Sequence, residues 1–154
     1  MDYLCFFFSS LFCGIKLVVK SFNERITMKV IKYNVELLVD DIIKTVSFYT
    51  DLLNFKITSS TPEENPFFVI LSNGPLDLML YSRKQFVKEI PKFKEMPLGG
   101  TFALYLGVKN IETIYKRVKN KAQVIQELYK TDYDTAEFSF EDCNGYVILV
   151  SEEK

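Results

Sequence analysis

The chain has 154 residues, 48% of them hydrophobic and 15% aromatic, with 19 Lys+Arg against 20 Asp+Glu and no histidine. That length holds one domain, or two half-size modules around a shared core. The balanced charge, with no block of one sign, argues against nucleic acid as a partner, because phosphate binding needs a concentrated basic surface.

The three cysteines, Cys5, Cys13 and Cys143, have neither CxxC nor zinc-ligand spacing and read as free thiols of a reducing cytosol. Residues 1–27 do not match the rest of the chain. Residues 4–15 are apolar and rich in Phe, but the run falls well short of the ~20 residues that a membrane-spanning helix needs. Asp2, and the lack of a leading Lys or Arg, speak against a signal peptide. Bulky Phe12 speaks against lipoprotein processing at Cys13. The reading adopted is translation from Met28, where an ordinary cytosolic beginning appears. The expected organisation is a domain over residues 28–154, with one module at 29–82, a connector at 83–100 and a second module at 101–152.

Residues 30–39 alternate, with Val35, Leu37 and Val39 on one face and Asn34, Glu36 and Leu38 on the other. Period two predicts a strand with two unlike surfaces. Asp40 and Asp41 offer N-caps to the following helix. Its stripe is Ile42, Val46, Tyr49 and Leu53, and Asn54 ends it in place of the more usual Gly. Strands follow at 55–59, 67–71 and 76–81, and Asn73-Gly74 marks a hairpin. The connector holds a short helix around residues 84–89, stopped before Pro91. Residues 101–108 alternate again, with Ala103, Tyr105 and Gly107 opposite Phe102, Leu104, Leu106 and Val108. Asn110 is the expected N-cap of a helix that buries Ile111, Ile114, Tyr115 and Val118. Strands at 124–128, 137–140 and 146–151 complete the second module, with a tight turn at Asn144-Gly145. The pattern β-α-β-β-β therefore occurs twice, which predicts an α+β domain.

Val39, Asp41, Phe48-Tyr49 and Leu53-Asn54-Phe55, together with the closing run of residues 138–150, resemble the vicinal oxygen chelate superfamily, the glyoxalase, bleomycin-resistance and extradiol-dioxygenase group. Cys143 replaces the proline usual in the closing hairpin. The resemblance covers residues 29–152. It implies two βαβββ modules forming a curved mixed sheet around a cleft, and a homodimer that completes or extends its clefts.

Metal-dependent members place ligands at four points, which map here onto Asn34, Leu80, Ala103 and Leu149. That set offers no imidazole, thiolate or carboxylate, so no metal and no other cofactor is expected. Metal-dependent glyoxalase or dioxygenase activity is disfavoured for the same reason.

A metal-free cleft works by shape, aromatic surface and isolated charge. The expected ligand-binding residues are Asn34, Glu36, Leu38, Leu80, Tyr81, Ala103, Tyr105 and Leu149, with Leu80 and Leu149 as an apolar floor. Glu36 is the candidate base, or the counter-charge for a cation assisted by Tyr81 and Tyr105. The expected function is bleomycin-resistance-like sequestration of a small aromatic or cationic molecule. The alternatives are a metal-independent isomerase or lyase with Glu36 as general base, and an interaction module whose cleft is closed. Cys143 is expected to be exposed in its turn and away from the cleft, with no His partner to activate it. A cytoplasmic location and no membrane partner complete the expectations.

Overall fold

The structure is a computed structural model that describes residues 32–132 and 134–153. The head at residues 1–27 and Tyr133 lie outside the described residues. All elements lie within the compact unit Asn34–Lys154.

The first module runs β1 (Val35–Val39), α1 (Ile42–Leu53), β2 (Lys56–Thr61), β3 (Phe68–Asn73) and β4 (Leu76–Ser82). The connector carries α2 (Arg83–Glu89) and a 3-10 turn (Pro91–Phe93). The second module runs β5 (Ala103–Val108), α3 (Ile111–Lys119), β6 (Gln123–Lys130), β7 (Ala136–Glu141) and β8 (Val147–Glu152). Each module forms a four-stranded mixed sheet, ordered β1-β4-β3-β2 and β5-β8-β7-β6. In each, the first strand lies parallel to the last, β1 beside β4 and β5 beside β8, and the remaining pairs are antiparallel. The α+β reading with a doubled βαβββ unit is the observed fold.

The two helices start by different means. Asp41 caps α1, its carboxylate accepting the Lys44 amide at 2.9 Å, and Asn54 closes the helix in the left-handed conformation at φ 58°. At α3 the cap falls at Asn110 as expected, but the bond is made by another residue. Asn110 holds the cap position at φ 61°, but its side chain makes no cap bond. Glu152 of β8 reaches over instead, accepting the Asn110 amide at 3.0 Å and the Ile111 amide at 2.6 Å. A carboxylate at this end also suits the helix dipole. The cap comes from a strand more than forty residues away, so no local pattern could announce it.

Each sheet turns one face to its helix. Leu37, Val39, Val69, Leu71, Leu78 and Leu80 pack under Ile42, Tyr49 and Leu52 of α1. Phe138, Phe140, Ile148 and Val150 pack under Ile111 and Val118 of α3, and the two groups form one continuous core. Fully burying such a side chain contributes about 1.5–3 kcal/mol relative to leaving it exposed. Polar bonds also cross between the modules. Tyr49 Oη donates to Asp142 at 3.0 Å, Tyr146 Oη to the Leu38 carbonyl at 2.9 Å, and Asn144 Nδ2 to Thr45 Oγ1 at 3.0 Å.

Candidate functional site

The strand registers decide which side chains share the sheet faces turned away from α1 and α3. In the first sheet Glu36 lies opposite Met79, Leu37 opposite Leu80 and Leu38 opposite Tyr81. Glu36, Leu38, Met79 and Tyr81 therefore share the open face with Asn34. Leu80 does not. It is fully buried on the helix-packed face with Leu37, which corrects its expected place in the cleft floor. The assignment was one residue out of register, and a one-residue slip moves a side chain through the sheet. Met79 takes the position instead, and Asn34 Nδ2 approaches its sulfur at 3.7 Å.

In the second sheet Tyr105 lies opposite Leu149 and Ala103 opposite Val147, on the face away from α3. Tyr105 is 59% exposed. The expected residues thus fall into two groups on two sheets: Asn34, Glu36, Leu38 and Tyr81 on the first, Ala103, Tyr105 and Leu149 on the second.

Glu36 is solvent-exposed on its edge strand, yet its carboxyl is held above the usual carboxylate range, first by partial burial and then by the charge of Glu89. Glu89 is the last residue of α2 and accepts a 2.6 Å hydrogen bond from Tyr81 Oη. That bond, then burial, then the charges of Glu89 and Glu36 hold the Tyr81 phenol above its ordinary value. Glu89 thus bonds the tyrosine hydroxyl directly, and Glu36, on the neighbouring strand of the same face, adds its charge. The ring of Tyr81 stacks on Phe67 at 5.8 Å and meets Phe68 edge-on at 5.5 Å. Glu89 ends a helix outside both modules, so only tertiary packing brings it to Tyr81.

The second open face holds a further carboxylate. Glu137 is 5% exposed, accepting Tyr129 Oη at 3.1 Å and Ser151 Oγ at 3.3 Å. Burial and that bond to Glu137 push the Tyr129 phenol up. A signal for it existed. The run Glu137-Phe138-Ser139-Phe140-Glu141 alternates, so with both Phe residues in the core, Glu137 and Ser139 must take the other face.

Cys143 is half-buried rather than exposed, its thiol 3.7 Å from Thr45 Oγ1. Burial pushes the thiol up, with an opposing hydrogen bond to Thr45. A thiol made harder to ionise is a poor nucleophile. It lines a groove of about 410 Å³ on the helix side, with Lys44, Phe48, Leu52 and Glu141.

The fold family implies a metal, so its ligand positions can be tested against the residues present. On the mapping that the resemblance implies, with Met79 in place of Leu80, those positions carry an amide (Asn34), a thioether (Met79), a methyl group (Ala103) and an isobutyl group (Leu149). This donor set does not fit Zn, Ni or Fe. Among the described residues, no three His, Cys, Asp or Glu side chains converge as a metal site.

A doubled βαβββ unit whose open faces carry carboxylates and aromatic rings defines a two-module α+β protein of the glyoxalase type. The family profile of the Glyoxalase/Bleomycin resistance protein/Dioxygenase superfamily matches residues 33–150, and the chain belongs to that superfamily. Comparison with curated proteins gives no significant match. Among solved structures, a protein of unknown function from Agrobacterium tumefaciens str. C58 aligns at 20% identity and TM-score 0.68, over 84% of this chain and 98% of its own. A hypothetical protein from S. aureus aligns at 21% identity and TM-score 0.68, over 82% and 96%. A glyoxalase/bleomycin resistance protein/dioxygenase family enzyme from Burkholderia phytofirmans PsJN aligns at 17% identity and TM-score 0.66, over 77% and 95%. At such identities the likeness establishes the fold.

Proposed function

We propose that this chain is a metal-free member of its superfamily that holds a small aromatic or cationic molecule on its open sheet faces, as a sequestering protein of the bleomycin-resistance type. The observation that carries this reading is the grouping of Glu36, Glu89 and Tyr81. Two carboxylates beside a stacked aromatic ring supply countercharge and cation–π surface together. Asn34, Leu38, Ala103, Tyr105 and Leu149 complete the binding faces, the second sheet adding the exposed ring of Tyr105. A homodimer in the cytoplasm fits this role, and a second copy would cover the exposed Tyr105 face. No helix among the described residues is long and apolar enough to cross a membrane.

Calorimetric titration with benzyltrimethylammonium tests the reading. Saturable binding that weakens roughly threefold to thirtyfold in Glu36→Gln is the expected result, matching the size of a cation–π and countercharge contact. Stoichiometric Zn, Ni or Fe in the purified native protein, with activity that depends on it, would overturn it.

The upward shift of the Glu36 carboxyl, which makes its carboxylate more basic, favours a second reading, a metal-independent isomerase or lyase with Glu36 as general base. A carboxyl shifted toward neutrality is a better base at neutral pH. That reading requires turnover that falls by orders of magnitude in Glu36→Gln.

A further inference from the structure

We propose that residues 83–93 form a displaceable strap filling an aromatic seat on the first open face, so that a flat aromatic ligand competes with the chain's own Phe86. This rests on the reading of the open faces as small-molecule surfaces, and it adds how one of them is gated.

The seat consists of Phe67, Phe68 and Tyr81. Its rings lie 5.5–5.8 Å apart, Phe67 stacked on Tyr81 and Phe68 edge-on to it. Phe86 of α2 completes the group, edge-to-face with Tyr81 at 5.1 Å and 75°, and Phe93 backs Phe86 at 5.4 Å and 75°. Centroid separations and angles of this kind are those that aromatic rings prefer when one binds another. Phe86 is the only buried residue of α2. Leu38, opposite Tyr81 on the same face, is only 8% exposed, so this end of the sheet is covered while Glu36, two residues earlier, is exposed.

The cover is lightly tied. A helix of seven residues has little stability of its own, because nucleation is unfavourable and few bonds follow it. Arg83 anchors its first residue, with bonds to Asp40 at 2.7 and 2.8 Å and to the Met96 carbonyl at 3.2 Å. Glu89 anchors its last residue through Tyr81 Oη. Between them Phe86 is the one buried side chain. The ladder from β1 through β4 to β3 ends at Ser82, so releasing the strap leaves every strand pair intact. A short segment with one buried side chain is the sort of unit that opens without global unfolding. Glu36 and Glu89 add like-charge repulsion between sheet and strap, which works against closure.

Two measurements on the full chain test this. In native-state hydrogen exchange, the α2 amides and the Ile90 amide, which is bonded to the Phe86 carbonyl, should exchange at least tenfold faster than those of β3 and β4. That gap should hold across low denaturant. Exchange of the two groups together at every denaturant concentration would overturn the strap. In the second measurement, Phe86→Ala should bind the neutral fluorescent aromatic N-phenyl-1-naphthylamine at least tenfold more tightly than the native chain, and adding Tyr81→Ala should abolish the gain. Equal binding by native protein and Phe86→Ala would overturn the seat. If Phe86→Ala does not fold, exchange on the native chain decides alone. Failure of the wider reading shows differently, as no benzyltrimethylammonium binding by the native chain.

Discussion

The Tyr49 hydroxyl donates a 3.0 Å hydrogen bond to the Asp142 carboxylate, and both residues are buried. One residue belongs to the opening stretch that marks the family and the other to its closing stretch. Asp142 also accepts the backbone amides of Asn144 at 2.8 Å and Tyr146 at 2.9 Å, which shape the last hairpin. Burial, then the charge of Asp142, raises the Tyr49 phenol well above its ordinary value. The most recognisable letters of the family are therefore, in this chain, the joint between its two modules.

Breaking that joint should cost stability and leave the open faces alone. Tyr49→Phe removes a donor from a buried carboxylate, for which about 1–3 kcal/mol is the usual penalty. Asp142→Ala should exceed it, because the hairpin amides lose their acceptor as well. A double-mutant cycle followed by urea unfolding should give a coupling of about 0.5–3 kcal/mol. Additive effects would show that the bond carries nothing.

Glu36 should make stability depend on pH in an unusual direction. Its carboxyl is raised above the ordinary 4.5, by partial burial and then by Glu89. Between the unfolded and folded values the folded state binds more protons, so this contribution is full below the unfolded value and is lost as pH rises through the folded one. Glu36→Gln should thus be more stable than the parent at pH 7, with the difference vanishing below pH ~4. Thermal melts at several pH values measure it. A less stable Glu36→Gln at pH 7 would show that the carboxylate is held by a favourable partner.

Removing the remote cap of α3 should be felt locally. Glu152→Ala leaves the Asn110 and Ile111 amides without their acceptor, and lost caps typically cost about 0.5–2 kcal/mol. Asn110→Gly, by contrast, should be nearly neutral, since that side chain makes no cap bond and its φ of 61° suits glycine. Chemical denaturation of the two variants separates the roles. A larger loss for Asn110→Gly would return the cap to Asn110.

Gly99 should tolerate no side chain. Its φ is +81°, and a Cβ there would collide with the Gly145 carbonyl in the last hairpin. Gly99→Ala combines backbone strain of about 1–3 kcal/mol with that steric conflict. Gly100, at φ +54° with open space around it, should show only the strain. Comparing the two alanine variants by thermal melting tests the collision, and equal losses would exclude it.

The pattern of apolar residues determined the doubled βαβββ unit, because helix and strand periods depend on the local chain alone. It also determined the Asp41 cap and the Asn54 stop, both made within a few residues. The absence of histidine was equally legible, since it is a property of the letters. Only the tertiary structure decided the rest. Strand register placed Leu80 in the core and Met79 on the open face. Chain reversal carried Glu152 to the start of α3, and packing laid α2 over Tyr81 and brought Glu89 beside Glu36. Each of these depends on contacts between residues distant in sequence, where no local period constrains which side chain arrives.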